Sequence, residues 1–108
     1  MLNAKKCVYL KSKSKDMKLF LITYDLKQPG RNYSELYELI KSLAGENNWQ
    51  HPLESTWMIK VSDSTTVDGI TTQLRTSMDT KDSIFVVDIS RMPYQGWLPK
   101  SFWAWMKN

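Results

Sequence analysis

The sequence predicts an α+β domain on an antiparallel four-stranded sheet, and three observations carry that expectation. The run Lys18-Leu19-Phe20-Leu21-Ile22-Thr23-Tyr24-Asp25 is almost wholly apolar, and its length is that of a buried strand. Residues 53–62 alternate with period two, the mark of a strand with one face in the core. Between and after these lie two stretches with helical spacing of apolar residues.

The first strand is expected over residues 18–25, followed by a loop over residues 26–32. Asn32 is a candidate N-cap with Glu35 three residues on, a pairing like a capping box. Leu36, Ile40 and Leu43 then share a helical face flanked by Tyr37 and Leu39, and Gly45 stops the helix. In the second strand, residues 53–62, Leu53, Ser55, Trp57, Ile59 and Val61 point one way. Glu54, Thr56, Met58 and Lys60 point the other. After the Asp63-Ser64 turn, Thr65 with Asp68 opens a second helix whose buried stripe is Val67, Ile70, Leu74 and Met78. Residues 83–89 form a third strand, apolar on both faces in its middle, and residues 91–95 a short fourth.

These elements are assigned to the order βαββαβ, a doubled split β-α-β unit of the ferredoxin-like kind. Strands one and three are central in that topology and strands two and four are edges. Two-sided apolar character then places residues 18–25 and 83–89 at the centre and the alternating residues 53–62 at an edge. Helices cover one face of such a sheet. The other face of strands one and three is apolar too, so a second copy of the chain is expected to cover it, giving a homodimer. The tail, residues 97–106, is aromatic. Pro99 suits the first turn of a short C-terminal helix with Leu98, Phe102 and Trp105 on one face. That helix is expected to clasp a sheet edge or a partner subunit, with stacking of bases on its Trp rings as the rival role.

A chain of 108 residues fits one domain, expected over residues 17–108, with little room for a deep pocket. Residues 1–16 are expected to be a basic, flexible N-terminal extension or, alternatively, an arm that touches nucleic acid. They hold five lysines against Asp16, while the rest of the chain has ten basic and ten acidic residues. The net charge of +4 therefore belongs to the extension and does not argue that the folded domain binds a polyanion. The extension lacks the apolar middle of a signal peptide, and no stretch of the chain is apolar enough to span a bilayer. The single cysteine, Cys7, cannot form an intrachain disulfide, which points to a reducing cytoplasm.

Asp25 stands out among the polar residues because it ends the most apolar strand just before a turn. A rigid element holds it where water can reach it, as suits a catalytic or metal-binding carboxylate. A turn-capping Asp fits the same position. Lys27 and Arg31, on the loop that follows, are candidate phosphate ligands as well as ordinary solvated residues. His51, the one histidine, and Glu54 are weaker candidates, read as structural or edge-facing. There is no Cys/His cluster, Gly-rich phosphate loop or nucleophile elbow, and no small-molecule cofactor is evident.

The strand ending in Tyr24-Asp25, the βαββαβ order and the Glu54-Ser55-Thr56-Trp57 segment resemble the Cas2-like ferredoxin-fold proteins of CRISPR systems. More narrowly, the chain resembles the SinR-like branch in its Phe20-Leu21-Ile22-Thr23-Tyr24-Asp25-Leu26 start, its Leu53-Glu54-Ser55-Thr56-Trp57 strand and its Gly96-Trp97-Leu98-Pro99 ending. The resemblance implies a homodimer in which two Asp25 carboxylates face one another, can share a Mg²⁺ ion and cleave phosphodiesters of RNA or DNA. Ser55 approximately matches a serine of the family's second strand and joins Asp25 as a candidate catalytic residue. The neutral charge of residues 17–108 and the aromatic ending depart from the Cas2 pattern and weaken a role in guide-array integration. Two alternatives stand beside this reading, a non-catalytic homodimeric interaction module and a toxin ribonuclease like the VapD-like proteins.

Overall fold

The computed structural model describes residues 17–27 and 33–108. The expected extension over residues 1–16, the proposed Asn32 cap and Arg31 lie outside the described residues. The elements run β1 (Met17–Asp25), α1 (Ser34–Ala44), β2 (Trp49–Leu53), β3 (Thr56–Ser62), α2 (Val67–Arg75), β4 (Ser83–Asp88) and α3 (Lys100–Lys107). The four strands form one antiparallel sheet in the order β2-β3-β1-β4, the arrangement of a ferredoxin-like βαββαβ unit with an added C-terminal helix.

The expected fold class holds, but three strand assignments change. The stretch read as one strand over residues 53–62 breaks at Glu54-Ser55 into a hairpin. Leu53 pairs with Thr56, and Trp49–Leu53 supplies the second strand that βαββαβ requires between its helices. β3 is therefore central and β4 is an edge, the reverse of the roles predicted for them. Residues 91–95 form no strand.

One face of the sheet holds the main core. Phe20, Ile22 and Tyr24 of β1 and Trp57, Ile59 and Val61 of β3 meet Leu36, Ile40 and Ala44 of α1 and Ile70 and Leu74 of α2. The helical spacing predicted Leu36, Ile40, Ile70 and Leu74, whereas Leu43 and Val67 are only half-buried, Ala44 takes a core place instead, and Met78, though buried, lies beyond the end of α2. Gly45 ends α1 with φ 94°, a conformation a Cβ strains. α2 is capped by Thr66 rather than Thr65, its side chain accepting a hydrogen bond from the Gly69 N–H at 3.0 Å.

Strand alternation puts Leu19, Leu21, Thr23 and Asp25 of β1 on the second face, opposite Lys60, Met58 and Thr56 of β3 and Val87, Phe85 and Ser83 of β4. Part of this face is closed by α3 of the same chain. Met58 and Phe102 are buried outside the main cluster, and the Lys60 Nζ donates to the Trp105 carbonyl at 2.7 Å while lying 4.4 Å from the Trp105 ring centre. The rest of the face is open: Phe85 is 63% exposed and Leu53 54%.

Candidate functional site

β1 hydrogen-bonds to β3 on one side and β4 on the other, so its last residue is held by the most constrained strand in the sheet. Asp25 pairs in register with Ser83 and presents a side chain that is 65% exposed. Its Oδ2 lies 2.7 Å from the Lys27 Nζ. That carboxylate accepts a hydrogen bond from the ammonium, which, with the attraction of opposite charges, raises the Lys27 pKa.

The loop that carries Lys27 is fixed from below by Asp82. This buried carboxylate accepts from the Lys27 N–H at 2.7 Å and the Tyr33 hydroxyl at 3.0 Å through Oδ1, and from the Asp79 N–H at 2.7 Å through Oδ2. Nothing in the local sequence around Asp82 marks it as more than a polar residue before β4. Two of its three named partners, Tyr33 and Lys27, are 49 and 55 residues away, so no local pattern announces them.

Next to Asp25 is an open cleft of about 440 Å³ lined by Tyr24, Asp25, Leu26, Tyr37, Glu54 and Ser55. The Tyr24 N–H donates to the Ser55 carbonyl at 3.1 Å, which ties the β2–β3 turn to the end of β1. Asp25 and Ser55, 30 residues apart in sequence, thus share one cleft, and Glu54 joins them. Lys27 reaches the site through Asp25.

His51 does not line this cleft. Its ring stacks on Trp57 with centres 3.9 Å apart and 13° between planes, and its Nε2 donates to the Glu54 carbonyl at 3.0 Å. It holds the turn, in keeping with the structural role expected of it. Tyr24 is the buried post behind the cleft. Its hydroxyl accepts from the Trp57 Nε1 at 2.9 Å. Burial pushes its pKa up to about 12 against the opposing effect of that hydrogen bond.

One chain offers two carboxylates and a hydroxyl around an open cleft. No group of three or more His, Cys, Asp or Glu able to hold a metal occurs among the described residues. Carboxylate oxygens are the ligand type that Mg²⁺ takes, commonly one or two of them with water and phosphate oxygens completing its shell. Among the described residues no helix is long and apolar enough to cross a membrane. No protein-family model and no curated protein matches the chain.

Proposed function

We propose that the chain is a Cas2-like homodimer that cleaves phosphodiesters with a divalent cation held between two Asp25 carboxylates, one from each copy. The observation that carries this reading is the place of Asp25. It is an exposed carboxylate at the end of a central strand, on the same sheet face as the bare Phe85 ring. A second copy that covers Phe85 is brought up to Asp25. The chemistry supplied by bound Mg²⁺ is water activation and neutralisation of phosphate charge. Asp25 would hold the ion, the Lys27 ammonium, now on Asp25, would be available to a phosphate oxygen, and Ser55 would offer a hydroxyl at the cleft. Arg31, on the same loop, is a second phosphate ligand. The single cysteine supports a cytoplasmic setting.

A second reading, a non-catalytic homodimeric interaction module, is favoured by one contact. Lys27 already satisfies Asp25 at 2.7 Å, so the carboxylate has no need of an ion. Cleavage of single-stranded RNA and DNA with Mg²⁺, compared with the Asp25→Asn variant, separates the two readings. The first expects Mg²⁺-dependent cleavage that is lost in the variant while the dimer persists. No cleavage by the parent protein leaves the interaction module, and cleavage that survives Asp25→Asn removes Asp25 from the chemistry and overturns the first reading.

A further inference from the structure

We propose that the end of the sheet opposite Asp25 carries a binding surface for single-stranded nucleic acid, with Lys18, Arg91 and Lys107 meeting the phosphates and Tyr94 and Trp97 stacking on the bases. The balance of charge over residues 17–108 conceals a segregation. Residues 17–88 hold ten acidic and seven basic residues, whereas residues 89–108 hold Arg91, Lys100 and Lys107 and no acid. Five of the aromatic residues fall in that same acid-free stretch.

The fold brings the cations Lys18, Arg91 and Lys107 to the start of β1. A groove of about 260 Å³ is bordered by Lys18, Lys60 and Lys107 with Leu19 and Ser90, and no acidic side chain lines it. A neighbouring groove of about 270 Å³ shares Met17, Lys18 and Ser90 and adds Arg91. Asp63 and Asp88 line its rim, where Asp88 accepts from the N–H and hydroxyl of Ser90 and is further stabilised as the anion by the Lys18 charge, so phosphate must compete with it for Lys18. Among the described residues, Lys18 donates to the Thr65 carbonyl and Lys60 to that of Trp105, and neither Arg91 nor Lys107 has an acidic partner. The chain enters both grooves at Met17, directly after the five lysines of residues 1–16.

The aromatic half of the surface lies on the same segment. Trp97 is 98% exposed, and the exposed Tyr94 ring lies nearly parallel to Trp103, 14° between planes at 6.5 Å. The Trp103 Nε1 donates to the Leu98 carbonyl at 3.0 Å and fixes the turn between Trp97 and α3. The exposed rings of Trp97 and Tyr94, with Arg91 and Lys107, which have no acidic partner among the described residues, correspond to the two recurring parts of a single-strand site, stacking platforms for bases and a positive track for the backbone. An acidic protein segment would satisfy the cations and leave the ring faces unused. Lys18 and Asp25 are seven residues apart on β1, roughly 23 Å, so this surface is distinct from the Asp25 cleft.

The test is fluorescence anisotropy of a fluorescein-labelled oligothymidylate with the full-length protein in EDTA, at increasing salt, with circular dichroism to check folding. Arg91→Glu with Lys107→Glu is expected to weaken binding by roughly tenfold or more at low salt and to flatten its salt dependence. Trp97→Ala is expected to weaken it about fivefold or more with the salt slope unchanged. Binding is read in EDTA, where divalent-cation cleavage cannot proceed, so failure of the nuclease reading does not touch this result. The proposal is overturned if the parent does not bind at low salt, or if the charge reversals leave affinity unchanged, which assigns binding to residues 1–16. It is overturned equally if Trp97→Ala has no effect, or if the charge reversals dissociate a dimer while leaving oligonucleotide affinity intact, which assigns the surface to a protein partner.

Discussion

On one face of the sheet Phe20, Ile22, Trp57 and Ile59 are shut away beneath α1 and α2, while on the other Met58 is buried but Phe85 and Leu53 stand in water. The same two central strands serve both faces, so the difference lies in what covers them. α3 has eight residues, about 12 Å of helix. β1 has nine, about 30 Å of strand. A helix that short closes only part of the face. It lies towards the start of β1, where Leu19, Lys60 and Met106 border one groove, and the Asp25 end remains open. The apolar side chains left over there are the physical ground for expecting a second copy.

The largest effect belongs to the closed face. Ile59→Ala removes fully buried methyl and methylene groups that no water can replace, and is expected to cost about 2–5 kcal/mol in denaturant unfolding. A loss below about 1 kcal/mol would mean that the helical face packs more loosely than its burial implies. Asp82→Asn comes next, because it turns an amide N–H₂ towards donors that now meet a carboxylate. The expected cost is about 1–3 kcal/mol. Lys27 backbone amide exchange should accelerate as the loop loosens, and unchanged exchange would show that Asp82 does not hold it.

The Tyr24 hydroxyl gives a pH test of the boundary between the faces. Its pKa is pushed up to about 12 in the folded protein from the ordinary tyrosine value of 10.0, so the native state holds the proton more tightly than the unfolded chain. Its contribution to stability is complete below pH 10 and is lost as pH rises towards 12. The melting temperature of the parent should fall more steeply over that window than that of Tyr24→Phe, and equal slopes would contradict the assignment. The smallest effect belongs to the open end. Phe85→Ala, measured under conditions that keep the chain monomeric, should change stability by no more than about 0.5 kcal/mol.

Much of this architecture was legible in the sequence, and the misread parts have physical causes. The apolar run of β1 and the stripes of α1 and α2 gave periodicity enough to place the core. β2 escaped notice because Trp49-Gln50-His51-Pro52-Leu53 does not alternate cleanly and contains a proline, which a sheet accepts at an edge such as this one. The Glu54-Ser55 turn escaped because it lacks the Asn-Gly or Gly-rich signature of a mirror-image turn. Neither residue has a positive φ, so it is not a turn of that kind. β3 looked like an edge strand because Lys60 interrupts its outer face, yet that ammonium is spent on a carbonyl of α3. β4 looked central because it is apolar on both sides, and one of those sides is the open face. At the candidate site, Asp25 was conspicuous by its place in the sequence. Asp82 was not, because its role depends on contacts made only after folding.

The central claim, that the open face is where a second copy sits, is tested most directly by the mass of the protein in solution at micromolar concentration. Sedimentation equilibrium or light scattering should give twice the chain mass of 12.7 kDa for the parent and a single chain for Phe85→Asp, which places a charge in the exposed apolar patch. A parent protein that stays at 12.7 kDa would contradict the account. So would a Phe85→Asp variant that remains folded and fully dimeric.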